Sequence, residues 1–115
     1  MNGDLVELLN KKIQDLNVSI KKLRETGTEF AEAERNYKIL LRQEALKLRA
    51  DDNLPVTLIQ QVVYGIPQVA DARFKRDVAD TIYKANLEAI NSIKLQLRLL
   101  ENQIQREYTS NVSNS

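Results

Sequence analysis

The chain has 115 residues, enough for one domain, and its 43 % apolar and 29 % charged residues are a balance typical of soluble globular proteins. With 17 Lys and Arg against 16 Asp and Glu, spread evenly over both halves, it lacks the basic excess of nucleic-acid-binding proteins, and direct nucleic-acid binding is not expected. The absence of Cys and His excludes disulfides, thiolate or imidazole metal sites, and Ser–His or Cys–His catalysis. The acidic residues are not spaced to converge on a metal ion. We therefore expect no metal, no cofactor and no enzymatic activity.

The N-terminal residues carry no basic stretch followed by an apolar one, and the longest apolar run is Ile39-Leu40-Leu41. Neither a signal peptide nor a membrane-spanning segment is predicted. We therefore expect a cytoplasmic protein with no membrane partner.

A first long helix is predicted over about residues 4–49, because apolar residues recur at alternating spacings of four and three. This heptad seam comprises Val6, Leu9, Ile13, Leu16, Ile20, Leu23, Gly27, Phe30, Glu34, Tyr37, Leu41, Glu44 and Leu48. Asp4 is a candidate N-cap. Thr26-Gly27-Thr28 could interrupt the helix, but the seam continues in phase through Gly27, which favours one helix.

A short connector follows. Asp51-Asp52-Asn53-Leu54-Pro55 ends the first helix, and residues 55–64 predict a second helix with Asn53 as its cap. Gly65 is expected in the C′ position of that helix.

A third helix is predicted over about residues 67–108, and residues 109–115, which are polar and uncharged, are expected to form a disordered tail. Its seam comprises Val69, Ala72, Arg76, Ala79, Tyr83, Asn86, Ile90, Ile93, Leu97, Leu100 and Ile104. Beside the seam lies a second apolar stripe, hereafter the α3 stripe, formed by Phe74, Val78, Ile82, Ala85 and Ala89.

Two long helices joined by a short helical connector predict an all-α, coiled-coil-like antiparallel hairpin within a single domain of residues 1–108. The expected register sets Tyr37 near Asp80 and Glu34 near Tyr83, with a latitude of several residues because the connector has its own length. Because a hairpin leaves the α3 stripe uncovered, we expect a homo-oligomer, a dimer or higher, with this stripe as its interface. A monomeric three-helix bundle is the alternative.

Basic residues cluster near the connector end of this hairpin. Lys38, Arg42 and Arg49 share one face of the first helix, and more basic residues open the third. Because Arg binds phosphate bidentately and stacks on bases, the cluster is a candidate anion or nucleotide site. Its predicted members are Lys38, Arg42, Tyr64, Arg73, Lys75 and Arg76. The alternative is a solvated face on which nearby Asp residues pair with these cations.

Several short stretches of the sequence, spread over about residues 5–107, are similar to those of a known group of proteins. They are residues 31–37 (AEAERNY), 54–57 (LPVT), 73–79 (RFKRDVA), 87–92 (LEAINS) and 99–104 (LLENQI). In these the chain resembles small helical proteins encoded in the early regions of temperate phages and prophages of Gram-positive bacteria. The resemblance implies a setting, the cytoplasm of an infected bacterium, and no particular reaction.

Two functions are compatible with these observations. By analogy with small helical phage proteins that block host defences, the first is a counter-defence inhibitor that oligomerises and sequesters a small anionic nucleotide signal. The second is an accessory factor for phage replication, recombination or assembly that binds a host or phage protein through the α3 stripe.

Overall fold

The structure, a computed structural model, describes residues 2–113 and is all-α. It contains α1 (Asn2–Asp51), α2 (Val56–Val62), a 3₁₀ turn (Val63–Gly65) and α3 (Pro67–Ser113). No strand occurs in the described part of the chain. Two long helices joined by a short helical connector confirm the all-α helical part of the predicted fold class.

Helix α1 is continuous through Gly27, as the unbroken seam predicts, and is longer than predicted at both ends. It begins at Asn2, so Asp4 is not the N-cap but lies in the first turn, where its charge favours the helix dipole. It ends where Asn53 adopts a left-handed conformation, with φ of 51°, which Asn tolerates better than most residues. The Leu54 N–H then donates to the Leu48 carbonyl at 3.3 Å.

Asn53 therefore terminates α1 and does not cap α2, contrary to the prediction. Pro55 is the N-cap residue of α2 in an extended conformation, without a side-chain cap. Its carbonyl accepts hydrogen bonds from the Leu58 and Ile59 N–H groups at 3.0 and 3.1 Å. Gly65 ends the 3₁₀ turn without a positive φ, so the predicted left-handed C′ glycine is also wrong.

Helix α3 follows its predicted seam closely: every predicted seam position is buried or half-buried. The helix continues past Tyr108 to Ser113, so residues 109–113 are helical where a disordered tail was predicted. The Thr109 hydroxyl donates to the Gln105 carbonyl at 2.9 Å, and neither Gly nor Pro interrupts this stretch. The last two residues of the predicted tail, Asn114 and Ser115, lie outside the described residues.

The described chain falls into two compact units. The connector unit, residues 25–83, contains the second half of α1, the connector and the start of α3. Its core consists of Tyr37, Val63 and the fully buried Val69, with Leu40, Leu41, Ala45, Leu48, Ile66 and Ala72 packed around them.

Within the connector unit α1 and α3 run antiparallel, and two ring contacts fix the register that the sequence leaves open by several residues. Tyr83 stacks on Phe30, with ring centroids 5.9 Å apart, and Arg76 lies over the Tyr37 ring at 4.6 Å. Tyr37 thus faces Arg76, about one helical turn from the centre of the expected register and within its latitude of several residues. Gly27 favours this register because a Cβ at that position would lie 3.3 Å from Tyr83 Cε1.

The terminal unit comprises residues 2–24 and 84–113. Here the predicted α1 seam is partly wrong, because Val6, Ile13 and Ile20 are exposed. The α1 side chains half-buried in this unit are instead those of Leu5, Leu9, Lys12, Asp15, Leu16, Ser19 and Leu23. On the inward side of α1, buried Asn86 donates from Nδ2 to the Ser19 carbonyl at 3.0 Å. A buried amide requires such a partner, and the rotation of α1 that brings Ser19 inward turns Ile20 outward.

Candidate functional site

An open groove of about 740 Å³ lies between α1 and the connector, within the connector unit. We call it the connector groove. Its lining residues are Lys38, Ile39, Leu41, Arg42, Ala45, Leu46, Arg49, Val56, Ile59, Gln60, Val63 and Tyr64. Most of these side chains are apolar, and the positive charges all come from α1. Such a surface suits a ligand with an apolar or aromatic body and negative charge.

The three basic side chains that line the groove differ in whether a carboxylate pairs with them. Lys38 pairs with Glu34, Nζ to Oε1 at 3.6 Å, although its side chain is 69 % exposed. Arg42 and Arg49 are exposed, and among residues 2–113 no carboxylate lies within ion-pair distance of either. The groove therefore presents two guanidinium groups that no side chain of the described chain neutralises.

Tyr64 adds an aromatic side chain to the groove. Its ring is 45 % exposed, and the Arg73 guanidinium lies 5.4 Å from the ring centroid. This cation–π contact holds an aromatic surface and another positive charge at the connector. Arg73 thus adjoins the groove through Tyr64 without lining it.

The two remaining predicted site residues lie outside the groove. Lys75 pairs with Asp71 at 3.2 Å. Arg76 donates from its Nε and a terminal nitrogen to Asp77 Oδ1, at 3.0 and 2.7 Å, while covering Tyr37. The hydrogen bonds that Arg76 donates to the Asp77 carboxylate raise the pKa of Arg76 above its usual range. These two side chains are engaged elsewhere, and the candidate site does not include them.

Of the six predicted residues, the structure brings Lys38, Arg42 and Tyr64 into one groove. Arg49 is the residue that the predicted set omits, although it shares a helical face with Lys38 and Arg42. Val56, Ile59 and Val63 add apolar side chains to the lining of the groove. Their place there depends on how the connector folds back onto α1, which cannot be predicted from helical periodicity.

The α3 stripe is exposed along its whole length. In the connector unit Phe74, Val78 and Ile82 are 67, 41 and 46 % exposed and border a shallow hollow of about 250 Å³. Ala85 and Ala89, in the terminal unit, are exposed as well.

Residues 2–113 contain no cluster of three or more acidic side chains that could hold a metal ion. None of their helices includes an apolar stretch capable of crossing a bilayer. Comparison with protein-family models, curated proteins and solved structures gives no match.

Proposed function

We propose that this chain is a non-enzymatic interaction protein that sequesters a small anionic nucleotide in the connector groove. The observation that carries the proposal is the pair of guanidinium groups, Arg42 and Arg49, left without carboxylate partners beside Tyr64. The resemblance to phage proteins supplies the setting, the cytoplasm of an infected bacterium, and counter-defence rests on the analogy with small helical phage proteins that block host defences.

The spacing of the two arginines favours a ligand with more than one phosphate. Arg42 and Arg49 are seven residues apart, about two helical turns or 10 Å along α1. A nucleotide with separated phosphates can contact both guanidinium groups bidentately across that spacing. The apolar lining and the Tyr64 ring then provide surfaces for the base, since every base has a face that stacks on an aromatic ring.

Calorimetric titration with cyclic oligonucleotides and ADP-ribose tests this function. We expect binding by the unaltered chain and a loss of at least about 100-fold in the variant Arg42→Gln/Arg49→Gln, because each charged hydrogen bond contributes about 1.5–3 kcal/mol. Arg98→Gln is the matched control, since Arg98 is also exposed but lies in the terminal unit. No heat with any of these nucleotides, or equal binding by the double variant, would contradict the proposal.

A second candidate function is protein binding through Phe74, Val78 and Ile82, as an accessory factor in phage replication, recombination or assembly. The observation that favours it is the exposure of these three large apolar side chains on one stretch of α3. The variant Val78→Asp/Ile82→Asp should lose a partner that the unaltered chain captures from infected-cell lysate and that mass spectrometry identifies. Val18→Asp, at a 65 % exposed position of α1, is the control. Capture of the same partner by the double variant would count against this function.

A further inference from the structure

The connector anchors the main chain of Tyr64 but leaves its ring at the surface. Val63, the preceding residue of the 3₁₀ turn, is 3 % exposed and belongs to the core of the connector unit. The Val63 carbonyl also accepts a hydrogen bond from the Ile66 N–H at 3.3 Å. The Tyr64 ring, by contrast, is 45 % exposed where it lines the connector groove. Contacts of the ring itself must therefore hold it in one rotamer.

Arg73 of α3 supplies such a contact. Its Cζ atom lies 5.4 Å from the centroid of the Tyr64 ring, within the distance at which a guanidinium group is attracted to an aromatic face. Arg73 does not itself line the groove. Because an aromatic ring has two faces, the guanidinium group covers one of them and leaves the other for a group bound in the groove.

The acidic residues nearest to Arg73 along α3 are engaged by other cations. Asp77 follows Arg73 by four residues, a spacing at which ion pairs form on a helix, but Asp77 Oδ1 accepts two hydrogen bonds from Arg76. Asp71 pairs with Lys75 at 3.2 Å. In the described part of the chain, no carboxylate lies within ion-pair distance of Arg73. Its guanidinium group is therefore left to the aromatic ring.

We propose that Arg73 is a positioning residue, which holds the Tyr64 ring as the stacking surface for the base of a nucleotide in the connector groove. This inference rests on the proposed function and specifies what the groove recognises, which is an aromatic base in addition to phosphate. Every base has a face that stacks on such a ring. Arg73 thus contributes to binding through Tyr64, without touching the ligand.

Calorimetric titration with cyclic di-adenylate and with ADP-ribose tests this role in a double-mutant cycle. Tyr64→Leu should weaken binding at least about 5-fold, because stacking on the ring is lost. Arg73→Gln should weaken it about 2- to 5-fold, because the ring loses the cation that holds it. The variant with both substitutions should bind as Tyr64→Leu does, since the effect of Arg73 passes through the ring.

Two further variants separate positioning from simple loss of charge. Lys75→Gln is the matched control: it removes the same charge two residues along α3, from a side chain that is 72 % exposed and outside the groove. It should weaken binding less than Arg73→Gln does. Arg73→Lys keeps a cation beside the ring and should recover part of the affinity. Circular dichroism checks that each variant is helical.

The contact between Arg73 and Tyr64 can also be measured without ligand. In nuclear magnetic resonance spectra, the ring current of Tyr64 should displace the Arg73 Nε–H signal, and Tyr64→Leu should remove that displacement. An Arg73 signal that Tyr64→Leu does not move would overturn the inference. So would binding that Arg73→Gln leaves unchanged, or weakens equally with and without the Tyr64 ring, and in both cases nucleotide sequestration would stand. No binding of either nucleotide by the unaltered chain would overturn both.

Discussion

Replacing Val69 by Ala tests whether the small core of the connector unit holds that unit together. Val69 is the largest fully buried side chain among residues 3–111, and it forms the buried core cluster together with Tyr37 and Val63. Few other side chains of the described chain are buried, so this cluster should carry a large share of the stability.

The magnitude follows from the atoms removed. Val→Ala deletes two carbons, each contributing about 0.8 kcal/mol when buried, and incomplete collapse of the cavity brings the loss to about 2–3 kcal/mol. The higher helix propensity of Ala returns about 0.5 kcal/mol. We expect a net loss of about 1.5–2.5 kcal/mol in the free energy of unfolding.

Urea unfolding followed by circular dichroism measures this loss, at one fixed protein concentration because dimerisation would otherwise alter the midpoint. Val18→Ala is the matched control: it deletes the same atoms from a helical site that is 65 % exposed, and should change the free energy of unfolding by less than about 0.5 kcal/mol. Equal effects of the two substitutions would refute the assignment of the core.

Three further predictions concern single contacts and can be checked by the same unfolding measurements. Asn86→Ala should cost about 1–2 kcal/mol, because the buried hydrogen bond to the Ser19 carbonyl is lost; no change would mean that this bond is not formed. Gly27→Leu should cost about 1–3 kcal/mol by displacing the Tyr83 ring, whereas Gly27→Ala should stay within about 1 kcal/mol, since the helix propensity gained offsets the 3.3 Å approach; a neutral Leu variant would contradict the close packing. Asp77→Ala should cost less than about 1 kcal/mol, because the Asp77 side chain in this ion pair is 57 % exposed to solvent, and a larger loss would indicate that the pair is shielded from solvent.

The elements that the sequence predicts well are those that depend on periodicity alone. The continuous passage of α1 through Gly27 and the complete α3 seam both follow from unbroken spacings of four and three. The helix ends are less predictable because they depend on local geometry. Asn53 is as suitable for a left-handed helix end as for an N-cap, and the backbone hydrogen bond of Leu54 decides between them.

The rotation of α1 in the terminal unit and the register of the connector unit are set by particular contacts between helices. An apolar band wider than one seam allows two neighbouring rotations, and the observed one brings the Ser19 carbonyl to buried Asn86. The candidate site was predicted in part, since shared helical faces place Lys38 and Arg42 together. Shared helical faces do not predict that Arg76 contacts Asp77 and Tyr37 and lies outside the connector groove.

The central proposal, nucleotide binding in the connector groove, is tested most directly by amide chemical shifts recorded while a cyclic dinucleotide is added to isotopically labelled protein. We expect the largest shifts at Arg42, Arg49 and Tyr64 and their absence in Arg42→Gln/Arg49→Gln. Absent shifts across a panel of such nucleotides, or shifts confined to the terminal unit, would contradict the proposal.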